Sequence, residues 1–264
     1  MEKTFEKRIC CNDIFFRYSR SHSLMEGNEI HPYHEILYYL GGEATFICEG
    51  YQEPLTPGTL LIIPKETYHT FRIGDQANYT RLAITFSALA PLSSRLDGIL
   101  SGIRVIREPN EGLRALLSRM CNALEEEGDR TVQEALLYGS LLVLLCEVGA
   151  EGGLLARMPR ADSSLVRRAI AYIDAHFAEE ISVSTLARAL YVSPSTLSHT
   201  FKTELDISLH KYILQKRLIH AHRLLAEHRK STKVYLECGY NDYSSFYKAY
   251  VKMFGHPPSD DKRD

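Results

Sequence analysis

No Cys-x-x-Cys pair and no Cys/His zinc spacing occurs among the six cysteines, Cys10, Cys11, Cys48, Cys121, Cys146 and Cys238. A zinc finger is therefore excluded as the organising core. Adjacent Cys10 and Cys11 make a poor disulfide framework, and reduced thiols in a cytoplasmic protein are expected. Long apolar runs are also missing. The most apolar stretch, residues 141–146, falls far short of the roughly 20 residues a membrane span needs. The N-terminus, MEKTFEKRICC, is charged and lacks an apolar core of signal-peptide length. No membrane partner is expected. Nor is there an overall basic excess, since the net charge is −2. The charge is uneven, however. From residue 161 onward 15 Lys/Arg face 12 Asp/Glu, whereas before it 16 face 21. Seven of the 11 histidines also lie in the C-terminal part. Such an asymmetry directs a phosphate-bearing partner to that part alone.

What is present there is one pattern written twice between residues 182 and 254. The first copy runs Leu186-Ala187, Leu190, Val192-Ser193-Pro194, Leu197 and Phe201-Lys202. The second runs Val234-Tyr235, Cys238-Gly239-Tyr240, Asn241-Asp242, Phe246 and Tyr250. Each predicts a short helix, a tight break and a second helix with apolar residues four apart on one face. Ser193 before Pro194 is a helix cap with proline at the first helical position, where its missing N–H costs nothing. Asn241 or Asp242 caps the second motif's helix, Ser182 or Ser184 the first motif's leading helix, and Asp162 or Ser163 a helix before it. Leu197 and Phe201 pack inward in one copy, Phe246 and Tyr250 in the other. Ser195, Ser198, His199 and Lys202 then face out, as do Tyr243, Ser244, Tyr247 and Lys248. A second helix held this way enters the major groove, about 12 Å wide. Residues 209–227 read as one long helix separating two such heads, and adjacent major grooves lie about 34 Å apart. Arg217, mid-helix among apolar neighbours, is expected to be a structural ion-pair partner.

Residues 165–260 resemble the DNA-binding domain of AraC/XylS-type transcriptional regulators. The matching elements are LARALYVSPSTLSHTFK, YILQKRLIHAHRLL and ECGYNDYSSFYKAYVKMFG. The resemblance implies that Ser195, Ser198 and His199 read bases in the first motif, and Tyr243, Ser244, Tyr247 and Lys248 in the second. The chain departs from the family pattern at four places. Tyr235 stands where alanine is usual, Asp206 where glycine ends the first motif, and Val251 where lysine is usual; the ending PPSDDKRD adds acidic charge. These departures predict a weaker grip by the second motif.

The N-terminal part reads differently. Residues 36–40, 44–48, 59–63 and 79–84 are short runs rich in β-branched and aromatic residues. Turn signals at Gly41-Gly42, Glu49-Gly50, Pro57-Gly58 and Gly74-Asp75 separate them. Many short strands suggest a sandwich or barrel. Helical periodicity follows over residues 109–148, and its second helix is apolar nearly all round, as a core or subunit-contact helix is. Glu29, His31 and Glu35, with His69 after Gly58-Thr-Leu-Leu-Ile-Ile-Pro64, have the layout of a small cupin barrel. Cupin enzymes hold a metal with His-x-His, Glu and a later His; here Glu29 replaces the first histidine. The resemblance to AraC-type N-terminal domains instead implies an effector pocket without metal or cofactor, so Glu29, His31, Glu35 and His69 are candidate effector-binding residues. His34 points to the other face and is expected to be exposed. Tyr33, Tyr38, Tyr51, Tyr68 and Phe71 are candidate aromatic walls.

The fold expected is multidomain α+β: a cupin-like β-barrel with following helices, then an all-α domain of two helix-turn-helix motifs joined by a long helix. Its divisions are a sensing barrel over 1–106, a helical dimerisation segment over 107–148, a linker over 149–163 and the DNA-binding domain over 164–260. The function expected is a cytoplasmic, non-enzymatic transcriptional regulator, an activator or a repressor. Its expected partners are double-stranded DNA, a small polar effector such as a sugar, a second copy of the chain and RNA polymerase. The alternatives are a metal-dependent cupin enzyme fused to a helical module, and a constitutive DNA-binding protein whose barrel is a scaffold.

Overall fold

The computed structural model describes residues 5–20, 30–89, 98–150, 156–157, 164–227 and 231–262. Glu29 and most of the expected linker lie outside these residues. Strands β1 (Phe5–Cys11), β2 (Ile14–Arg20), β3 (His34–Cys48), β4 (Tyr51–Pro54), β5 (Leu60–Ile63), β6 (His69–Phe86) and β7 (Arg104–Ile106) come first. Helices α1 (Glu111–Glu125) and α2 (Arg130–Ala150) follow, then the short strand β8 (Ala156–Arg157). The sheet is antiparallel in the order β1-β2-β6-β3-β5-β7-β8, with β4 paired to β3. Two residues of the segment expected to be a linker thus extend the sheet.

Two expected turns are not turns. Gly41-Gly42 lies inside β3 and Gly74 inside β6, because these two strands pair along almost their whole length. Between Tyr39 and Ala44 the register slips. A bulge of this kind bends a strand and changes which residue parity faces which side. Leu37 and Tyr39 face the same inner cluster before it as Ala44, Phe46 and Cys48 do after it. Gly42 has φ 106°, and a Cβ there would meet the Tyr79 backbone at 2.8 Å, so the bend requires glycine. Glu49-Gly50 is a true hairpin turn, with φ of 43° and 81° closing the Cys48–Tyr51 pair.

Each face of the bent ribbon is covered by a different partner. Ile36, Tyr38, Leu82 and Ile84 pack outward against Leu113, Leu117, Leu141 and Leu145 of α1 and α2. By length and composition Arg130–Gly149 could cross a membrane, contrary to the expectation from residues 141–146, but its Leu137, Leu141, Leu144 and Val148 are buried on the sheet. The inner face collects Leu37, Phe46, Leu61, Ile63 and Tyr79. The outer face of the far half, through Ile47 and Tyr68, packs on the C-terminal half of the chain.

That half is helical: α3 (Leu165–His176), α4 (Val183–Ala189), α5 (Pro194–Leu205), α6 (Leu209–Ala226), α7 (Ser231–Glu237) and α8 (Tyr243–Phe254). Ser164, not Asp162 or Ser163, caps α3 by accepting from the Arg167 amide. Ser182 and Thr185 close a reciprocal capping box on α4, and Ser193 with Pro194 opens α5 as expected.

Candidate functional site

Two helix pairs, α4/α5 and α7/α8, hang from α6. In the first, Leu186, Ala187, Leu197 and Phe201 are buried at the crossing. Ser195, Ser198, His199 and Lys202 are exposed on the opposite side of α5. In the second, Val234, Phe246 and Tyr250 are buried, and Tyr243, Ser244, Tyr247 and Lys248 are exposed on α8. All eight residues expected to face out do so. Asp242 caps α8 by accepting from the Ser245 amide, and this hydrogen bond lowers its carboxyl pKa. Tyr235, the departure from alanine, is half-buried and holds the Tyr243 ring edge-on at 5.7 Å. With its 18 residues, α6 is about 27 Å long at 1.5 Å per residue, against about 34 Å for one turn of duplex. Arg217 donates to the carbonyl oxygens of Phe177 (2.7 Å) and Glu179 (2.8 Å), so it is structural but bonded to backbone rather than to a carboxylate. The acidic ending folds back: Asp261 accepts from the Tyr250 hydroxyl and lies 3.1 Å from His222 Nδ1.

Inside the barrel, three of the four candidate effector residues meet. His31 Nε2 lies 3.3 Å and His69 Nε2 3.1 Å from Glu35 Oε2, and all three side chains are buried. Glu35 pairs with Thr85 and Ile63, while His69 pairs with Cys48 at the far end of the same ladder. Their meeting shows that the bent sheet closes on itself. His31 reaches Glu35 from just before β3. Its ring stacks on Tyr33 at 3.9 Å. Burial acts to raise the Glu35 carboxyl pKa, but hydrogen bonds and charge from His31 and His69 more than offset it and hold the group well below the usual carboxylate range. Among the described residues this is the group of His, Cys, Asp or Glu side chains able to hold a metal ion. Of the expected aromatic walls, Tyr33 and Phe71 lie beside the histidines. Tyr38 faces the helices and Tyr68 faces the C-terminal half instead. His34 lies on the other face as expected but is half-buried rather than exposed, packed by Phe86, its Nδ1 accepting from the Lys65 amide at 3.3 Å.

The barrel is docked on the first helix pair. His69 points inward, whereas its neighbour Tyr68 points outward, packs on Tyr212 of α6 at 5.4 Å and donates to the Leu205 carbonyl at the end of α5. Arg72, four residues beyond Tyr68 on the same face of β6, grips Asp206 with two hydrogen bonds of 3.1 Å. Gln52 Nε2 donates to the Glu204 carbonyl at 3.0 Å. Val166, Ala169 and Ile170 of α3 close over Ile47.

Comparison with known proteins matches both halves. The family described as "AraC-like ligand binding domain" matches residues 15–141, and the one described as "Helix-turn-helix domain" matches residues 186–264. The HTH-type transcriptional activator RhaS of Citrobacter koseri is 27% identical over 241 residues, covering 87% of this chain and 85% of RhaS. The chain belongs to the AraC/XylS-type transcriptional regulators. Among solved structures, the C-terminal domain of AraT from Geobacillus stearothermophilus is 32% identical over 38% of the chain and 85% of that domain, with a TM-score of 0.37. ToxT from Vibrio cholerae matches over 98% of the chain and 96% of its own, at 10% identity and a TM-score of 0.44.

This AraC-type regulator therefore pairs a ligand-binding barrel with a DNA-binding double helix-turn-helix. Sequence reasoning missed the residues that join them. Tyr68 was read as a pocket wall, and Arg72 and Gln52 carried no pattern of their own. The one available signal was Asp206, a departure from glycine that the docked barrel accounts for. Arg81 was also missed. It is buried on the inner face with its guanidinium 5.5 Å from the Tyr79 ring, in a strand otherwise read as apolar.

Proposed function

We propose that the chain works as a homodimer that binds operator DNA and responds to a small polar metabolite, such as a sugar, held beside His31, Glu35 and His69. Ser195, Ser198, His199 and Lys202 contact DNA from α5, and Tyr243, Ser244, Tyr247 and Lys248 from α8. The observation that carries the regulatory part is the strand start at β6, where His69 faces the ligand cluster and Tyr68 faces α5 and α6. A ligand that moves His69 thereby acts on the carboxyl end of the first reading helix. It can shift the equilibrium only by its differential affinity for the docked and undocked arrangements. The dimer face is the outer side of α2, where Val132, Ala135, Gly139, Val143 and Cys146 are exposed at spacings of three and four. The domain divisions at 106, 148 and 163 belong to this reading, as do a cytoplasmic location, RNA polymerase as a partner and, by likeness to the transcriptional activator RhaS, activation. No catalytic step is assigned to any residue.

Operator binding measured against salt tests the reading. Affinity is expected to fall linearly on logarithmic axes, with a slope of about −0.9 per phosphate contacted. Footprinting should protect two adjacent major-groove segments per subunit, and a metabolite that raises the melting temperature should change the operator affinity. Binding unchanged by salt would count against it.

A further inference from the structure

The two histidine rings at the barrel cluster are held in a defined way. His31 Nδ1 lies 2.8 Å from the Tyr33 carbonyl oxygen, and His69 Nδ1 lies 3.1 Å from that of Thr67. A carbonyl oxygen only accepts, so each Nδ1 carries the ring hydrogen. In a neutral ring the Nε2 atom then presents a lone pair. Both Nε2 atoms are turned on the same carboxylate oxygen, Glu35 Oε2. Three side chains, each able to offer an electron pair to a cation, thus converge at one buried point. A backbone carbonyl that fixes the remote ring nitrogen is also the usual support of a metal-binding histidine.

The two histidine nitrogens stand 3.1 and 3.3 Å from the one carboxylate oxygen. Ligands of a tetrahedral ion bound at about 2.0–2.1 Å stand roughly 3.3–3.4 Å apart. All three ligand atoms lie within 4.8 Å of one another, so closing them on an ion needs at most a small ring movement. We infer that His31, Glu35 and His69 bind one divalent first-row transition cation, with imidazole selecting against Mg2+ and Ca2+. This rests on the reading of the barrel as the ligand-binding part. Three protein ligands leave coordination positions open, so the cation offers an anchor for a hydroxyl or carboxylate of a polar metabolite.

The test uses the full-length chain, stripped with chelator and desalted, then titrated with Zn2+ by calorimetry and with Co2+ by visible absorption. The expected result is one ion per chain, a raised melting temperature on loading and d–d bands from Co2+. Glu35→Gln and His69→Gln should each weaken binding by roughly 10- to 100-fold or more, on the scale of lost support around a metal. His176→Ala, at the exposed His176–Glu179 pair, should leave binding unchanged. Melting of the metal-free variants checks that they fold. If they do not, long-range 1H–15N spectra of the wild type decide, since metal should shift both Nε2 resonances. No stoichiometric ion in the wild type, or undiminished binding in folded Glu35→Gln, overturns the inference. A protein that binds operator and responds to a metabolite without any cation would sink this inference alone; a cation site in a chain that ignores operator DNA would sink the regulator reading and not this one.

Discussion

Tyr191 and Asp206 both hold φ at 58°, a left-handed backbone that costs a residue with a side chain about 1–2 kcal/mol. They flank the first reading helix. At the matching places around the second, Gly239 and Gly255 have φ of 76° and 78° and bear no such cost. Backbone strain therefore sits in the first motif, although the departures of Tyr235 and Val251 point to weaker DNA contact in the second. The two strained residues differ in what they gain. Tyr191 is 93% exposed and packs on nothing, whereas Asp206 receives Arg72. Tyr191→Gly should stabilise the protein by about 0.5–1 kcal/mol, relief of strain less the extra unfolded-state freedom of glycine. Asp206→Gly should gain less, because it gives up an exposed ion pair of about 0–1 kcal/mol. Thermal melts of the two variants, with and without Arg72→Ala, measure the difference. If Asp206→Gly gains as much as Tyr191→Gly, the ion pair contributes nothing to docking.

Helix elements were the most legible part of the chain because their signals are local. Caps at Ser193 and Asp242 and the four-residue spacing of Leu197 and Phe201 need no distant partner to be read. The eight outward positions followed from that spacing alone. Strand elements were legible as apolar segments but not as strands of the right length. Gly41-Gly42 signals a turn locally, yet the pairing of β3 with β6 makes it a bend, and such pairing is a long-range fact. For the same reason, His31, Glu35 and His69 could be nominated as a group, while the outward docking of Tyr68 could not. At this scale the two reading helices differ in a testable way. His199→Ala should weaken operator binding more than Tyr247→Ala or Lys248→Ala, because Tyr235 ties up Tyr243 and no lysine stands at Val251. Gel-shift affinities at fixed salt compare them; equal losses would restore two equivalent heads.

In the whole molecule the barrel lies between two covered surfaces, one formed by its own helices and one by the DNA-binding half. In the proposed dimer the exposed stripe of α2 meets a second copy, and Val143→Glu should convert that dimer to monomers by light scattering while leaving the melting temperature of the barrel little changed. A monomeric wild type would remove that surface from the reading. The contact at Asp206 has a consequence for assembling hybrid proteins. Grafting a foreign DNA-binding half that ends its first reading helix in glycine would leave Arg72, Tyr68 and Gln52 without their counterparts. The two halves are thus keyed rather than interchangeable, and a working chimera must carry the lock from β6 together with the key from α5.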